Sequence, residues 1–128
     1  MRATVLIVED DMDLSRQYEL ALSLVNIQPE VKRDGKKAME RIQDGEAPAV
    51  VVLDLHLPNV SGEEIFAEMR RRDLGSRVVV ITADEALADE FRGKVQQVIL
   101  KPTNLEQFIQ VVLHNLKEQE DAATGGGG

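Results

Sequence analysis

Cysteine is absent from all 128 residues, so the chain has no disulfide framework, no zinc-finger spacing and no thiol nucleophile, and a reducing cytoplasm is its expected setting. Long apolar runs are absent as well. The opening Met-Arg-Ala-Thr before Val5 to Val8 is too short for a secretory signal, and nothing later approaches the roughly 20 apolar residues of a membrane span. Basic residues are scarce, 15 Lys and Arg against 23 Asp and Glu, for a net charge of −8. Binding of a nucleic-acid backbone through a clustered basic face is therefore not expected. Most of the acids read as a solvated surface. No internal repeat is visible, and the length is that of one compact domain that can bury a core without metal or disulfide.

Two apolar segments, Val5 to Val8 and Val50 to Leu55, are short and rich in Val, Ile and Leu, and a third, Val78 to Ile81, has the same character. None alternates with polar residues, as expected of strands covered on both faces. Glu30 to Lys32 and Val98 to Leu100 are weaker strand candidates. Between them lie stretches of helical period. These are Leu14, Tyr18, Ala21, Leu22 and Val25; Ala38, Met39 and Ile42; Ile65, Phe66 and Met69; and Leu105, Phe108, Ile109, Val112, Leu113 and Leu116. Strand and helix alternate, which predicts an α/β fold with a five-stranded parallel, doubly wound sheet and five helices.

Boundaries carry their own signals. Ser61 with Glu64 forms a capping box, and Asn104 with Gln107 repeats the arrangement. Asp34-Gly35 and Asp44-Gly45 read as turns, the second ending a helix. The domain is expected over residues 1–120. Residues 121–128 lack apolar anchors and end in four glycines, so they read as a disordered tail and in part a cloning remnant.

In an open parallel sheet, ligands bind beyond the carboxyl ends of the strands near a topological switch point. Those positions are unusually polar here. Glu9, Asp10 and Asp11 follow the first run, Asp54 ends the second, Thr82 follows the third and Lys101 follows the last. Two like charges about 4 Å apart at an effective dielectric near 20 repel by about 4 kcal/mol, so a carboxylate cluster needs a compensating cation. Mg2+, a hard ion held by one or two carboxylates, waters and phosphate oxygens, fits that need. A carboxylate beside such a metal is also a nucleophile able to form an acyl phosphate, and a lysine and a hydroxyl nearby would meet the transferred oxygens.

Val8-Glu9-Asp10-Asp11, Leu53-Asp54-Leu55-His56-Leu57-Pro58 with Ser61-Gly62, Ile81-Thr82-Ala83 and Lys101-Pro102 together resemble the receiver domain of two-component response regulators, over about residues 4 to 117. The resemblance implies the flavodoxin-like receiver fold and a cytoplasmic phosphorelay module, not a turnover enzyme. It implies phosphorylation of Asp54 by a histidine kinase or phosphotransfer protein with Mg2+ as cofactor, and switching of a partner or output domain. By that resemblance Asp10 holds the metal directly, Glu9 through water, and the backbone carbonyl of His56 is a further ligand beside Asp54. Thr82 and the backbone N–H of Ala83 would bond the phosphoryl oxygens and Lys101 would pair with them. The Lys101-Pro102 bond would be cis.

Plainer readings compete. Asp11 or Asp13 reads as a helix cap or first-turn acid, whereas Glu9 and Asp10 read as metal ligands. A structural role for Asp54 is the poorer account, because an ionised carboxylate ending an apolar strand is costly to bury without a partner. His56, alone among its neighbours, reads as a loop side chain. A dehalogenase-type phosphatase would need a second Asp where His56 stands, and a flavodoxin-like cofactor carrier would need a first loop that attracts phosphate, which Glu9-Asp10-Asp11 repels. A receiver-like interaction module that works without phosphorylation is the remaining alternative. Only 19 positions separate Thr82 from Lys101, about one helical turn of about 3.6 residues fewer than the family pattern, so a short or irregular fourth helix is expected. Val98 stands where receivers often carry a switching aromatic.

Overall fold

A computed structural model describes residues 4–125. Five parallel strands, β1 (Val5–Val8), β2 (Glu30–Lys32), β3 (Val50–Asp54), β4 (Arg77–Thr82) and β5 (Gln97–Leu100), alternate with helices α1 (Met12–Ser23), α2 (Gly35–Gln43), α3 (Gly62–Arg71), α4 (Glu85–Phe91) and α5 (Leu105–Gly125). The sheet order is β2-β1-β3-β4-β5. The chain therefore leaves β1 toward one edge and returns beside it as β3, which places the topological switch point between those two strands.

The unbroken apolar runs have a structural reason. Successive strand side chains point to opposite faces, and both faces are covered. Leu6, Val8, Val51, Leu53, Val78 and Val80 pack with Ala38, Ile42, Ile65, Phe66, Met69 and Phe91 from α2, α3 and α4. Val5, Ile7, Val50, Val52, Val79 and Ile81 pack with Tyr18 and Leu22 of α1 and Phe108, Val111 and Val112 of α5. Tyr18 and Phe108 stack with ring centroids 4.1 Å apart, joining α1 to α5. Two half-cores share one sheet, and its central strand β3 is buried throughout.

Helix ends follow local chemistry, with three departures from expectation. Ser61 and Glu64 form the expected capping box on α3. At α5 only half of one forms: Asn104 accepts the Gln107 N–H at 2.7 Å, but the Gln107 side chain turns to the Thr103 hydroxyl at 3.1 Å. Asp34-Gly35 is not a free turn. Asp34 caps α2, accepting from the N–H groups of Lys36 and Lys37, and Gly35 is the first helical residue. The pair Asp44-Gly45 does end α2. Helix α5 continues to Gly125, into the segment expected to be disordered, because Glu118 to Ala123 are mostly good helix formers that extend an existing helix at little cost. Residues 126–128 of the expected tail lie outside the described residues. Helix α4 is short, seven residues from Glu85 to Phe91, as the 19-residue spacing predicts. Among the described residues no helix is long and apolar enough to cross a membrane.

Candidate phosphoacceptor site at the carboxyl edge of the sheet

Glu9 is the first residue past β1. Its N–H still donates to Lys32 O at 3.1 Å, so it stays within the sheet and is only 2% exposed. Its Oε2 accepts the Asp11 N–H at 3.2 Å. Asp11 itself caps α1, accepting from the Leu14 N–H at 2.9 Å, and Asp13 lies in the first turn. The helix-cap reading of these two acids holds, and Asp10 is left exposed at the rim.

Asp54 is the last residue of β3, paired in register with Ile81 of β4, and 4% exposed. Both carboxylate oxygens are engaged: Oδ1 accepts the His56 N–H at 3.0 Å and Oδ2 accepts Lys101 Nζ at 3.3 Å. Lys101 Nζ also lies 3.0 Å from Glu9 Oε1. One ammonium thus spans two buried carboxylates contributed by β1 and β3. An oxygen each of Glu9, Asp10 and Asp54 falls within 4.8 Å of the others.

The charges do not balance. Burial pushes the Glu9 carboxyl up to about 7, and the adjacent Asp54 adds to the rise more than Lys101 takes away. Burial alone would lower the Lys101 ammonium, but the Glu9 and Asp54 carboxylates outweigh it and hold the lysine above its ordinary value. The two directions look opposed, since one favours a neutral glutamic acid and the other a charged lysine. They agree once counted as two buried acids against one base: the lysine gains from both Glu9 and Asp54, while Glu9 faces a second acid as well as the lysine. A set of hard oxygen donors with surplus negative charge is what a divalent cation such as Mg2+ requires.

Thr82 ends β4 fully buried, with its carbonyl accepting the Lys101 N–H at 2.8 Å and its hydroxyl accepting the Asp84 N–H at 3.1 Å. Ala83 follows it, exposed. The Lys101-Pro102 bond is cis. The His56 side chain is exposed, and its contribution to the site is the backbone N–H on Asp54. The residues read from the sequence therefore come together at one rim, by way of the register of four strands.

The sequence did not reveal Asp34, Gly35 and Asn59. Asn59 Nδ2 donates to Asp34 Oδ2 at 2.7 Å, fastening the loop after Asp54 to the start of α2. Asp before a helical run is a capping signal that could have been read, but a contact between residues 25 apart leaves no mark in the sequence. Beside the acids, Leu14, Tyr18, Ala83, Lys101, Pro102 and Thr103 line a mainly apolar hollow of about 350 Å³.

Comparison with known proteins now decides the family: the model described as the response regulator receiver domain matches residues 5–113. This chain belongs to the response regulator receiver domains. As such it is a module of two-component signal transduction. The response regulator ArlR of Staphylococcus epidermidis is 32% identical over 124 residues, taking in 91% of this chain and 54% of that protein. The chain spans about half the length of the curated relatives it matches. Among solved structures, a CheY-like response regulator receiver domain from Methanospirillum hungatei superposes with a TM-score of 0.83 at 19% identity, covering 94% of this chain and 98% of that one. TrrA from Thermotoga maritima, solved in complex with Mg2+-BeF, gives 0.78 at 18% identity, covering 89% and 99%. These two likenesses establish the fold of the receiver domain.

Proposed function

We propose that this receiver domain takes a phosphoryl group onto Asp54 from a histidine kinase or phosphotransfer protein, with Mg2+, and passes the change to a partner or output domain. One observation carries the reading. Asp54 is a buried carboxylate at a switch point, hydrogen-bonded to a lysine at 3.3 Å and grouped with two further acids within 4.8 Å. A cluster so costly to its own fold makes sense where a cation and a dianionic phosphoryl group complete it.

An Asp54 carboxylate oxygen forms the new bond to phosphorus as the donor's phosphoramidate or acyl phosphate bond breaks, and the leaving group departs with the bonding electrons. Asp10, Asp54 and the His56 carbonyl would hold Mg2+, with Glu9 acting through water. The ion supplies neutralisation of the phosphoryl oxygens as they approach the acids. The His56 N–H orients Asp54. Lys101 is positioned to leave Glu9 and Asp54 for a phosphoryl oxygen, which the Thr82 hydroxyl and Ala83 N–H would also meet. TrrA's complex with Mg2+-BeF supports the same assignment by likeness of fold.

Intact-mass measurement after incubation with acetyl phosphate and Mg2+ tests the proposal. The wild type is expected to gain one phosphoryl group and Asp54→Asn none. An adduct on the variant, or none on the wild type, overturns the assignment and leaves the phosphorylation-independent interaction module as the better account.

A further inference from the structure

We infer that Asp34, Gly35 and Asn59 form a latch in which the N-terminus of α2 fixes the loop after Asp54 and thereby positions the acceptor carboxylate; the inference rests on the role proposed for Asp54. That loop is closed at its base, where the Gly62 N–H donates to Leu55 O at 3.2 Å and a Cβ on Gly62 would fall 2.4 Å from Asp54 O. Its tip is held by a different element. Asn59, in the left-handed region at φ 70°, donates to Asp34 Oδ2 at 2.7 Å, while Asp34 Oδ1 caps α2. The Gly35 N–H donates to Pro58 O at 3.3 Å, and a Cβ on Gly35 would lie 1.9 Å from Val60 O, so the helix start is pressed against the loop backbone.

Between the closed base and the fastened tip sits His56, whose N–H holds Asp54 Oδ1 at 3.0 Å. With both ends of a short loop fixed, the peptide between them has little freedom, and the Asp54 rotamer inherits that restriction. The Asp34–Asn59 bond is exposed, so it adds little to folding and its value lies in where it holds the loop. Asp34 and Asn59 are positioning residues. They touch neither the acceptor nor a phosphoryl group.

Exchanging the partners gives the test, because an Asn at position 34 still caps a helix and can donate to an Asp at position 59. In the metal-free protein, Asn59→Ala, which removes the donor, and Asn59→Asp, which sets two carboxylates face to face, should each speed amide hydrogen exchange at His56 without lowering the melting temperature as a core substitution does. Each should also weaken Mg2+ binding, measured by calorimetry, by about tenfold, as loss of a group supporting a metal's own ligands commonly does. The double variant Asp34→Asn with Asn59→Asp should recover both readouts. Wild-type exchange and affinity in the single variants, or no recovery in the exchanged pair, overturns the latch. If the wild type takes no phosphoryl group while the exchange pattern follows expectation, the reading of Asp54 fails and the latch stands.

Discussion

Glu9 carries its proton into the folded state more tightly than it would in the open chain, about 7 against 4.5, because burial and Asp54 both disfavour its charge. The sign of the pH effect follows. With a raised folded value, the stability owed to Glu9 is fully present below about pH 4.5 and is lost as pH rises through about 7. Glu9→Gln stays neutral throughout, so in metal-free protein the variant should gain on the wild type steadily between those limits. Urea unfolding at a series of pH values reads this directly, and a difference that stays constant with pH would refute it. Apparent Mg2+ affinity should climb over the same interval in the wild type, since proton and metal compete for one set of oxygens.

Helix α4 is the shortest helix among the described residues, and its anchoring bears on what a switch can move. Its start hangs on the site: the Thr82 hydroxyl accepts from the Asp84 N–H, and Asp84 Oδ1 caps the helix through the Leu87 N–H at 3.1 Å. Its end is buried, with Phe91 packed edge-on against Phe66 at 5.5 Å. Val98 sits half-buried against the same cluster, leaving no aromatic to swing in from β5. Residues 83–97 form α4 and the Arg92–Val95 bridge that follows it. A Thr82 hydroxyl drawn to a phosphoryl oxygen would release the Asp84 N–H and loosen the first turn of α4. Beryllofluoride with Mg2+ should raise amide exchange from Asp84 to Leu87 and leave Phe91 protected. Thr82→Ala should still accept phosphate but show no such change; unchanged exchange in the wild type would sink this mechanism.

For the whole molecule, the charge cluster makes folding and metal binding one problem. Acids at the ends of β1 and β3 are driven together by the burial of two half-cores, and the fold bears the part of their repulsion that Lys101 does not offset. Mg2+ that binds only the folded state stabilises it by mass action, about 2.7 kcal/mol at 100 times its dissociation constant. Melts in MgCl2 should therefore exceed melts in NaCl of matched ionic strength, and Asp10→Asn should shrink the difference. Equal shifts in the two salts would remove the metal site. A net charge of −8 makes the matched control necessary, because screening alone relieves part of the repulsion.

The sequence by itself determined the order of elements, since short runs rich in Val, Ile and Leu without alternation read as strands buried on both faces, and it placed Glu9, Asp54, Thr82 and Lys101 at strand ends, where parallel strands put their ligands. Set against the pattern of the family it resembles, the 19-position spacing from Thr82 to Lys101 also foretold the short α4. Tertiary structure decided everything that depends on distance between remote residues. That Glu9 would be buried against Lys101, 92 residues away, follows from sheet order and register, which no local pattern encodes. That Asp34 would cap a helix and also hold Asn59 needed α2 and the loop after β3 to meet at the same edge. Propensity acts over a few neighbours, whereas an ion pair or a latch is set by how separate elements pack, and that is known only once the core has closed.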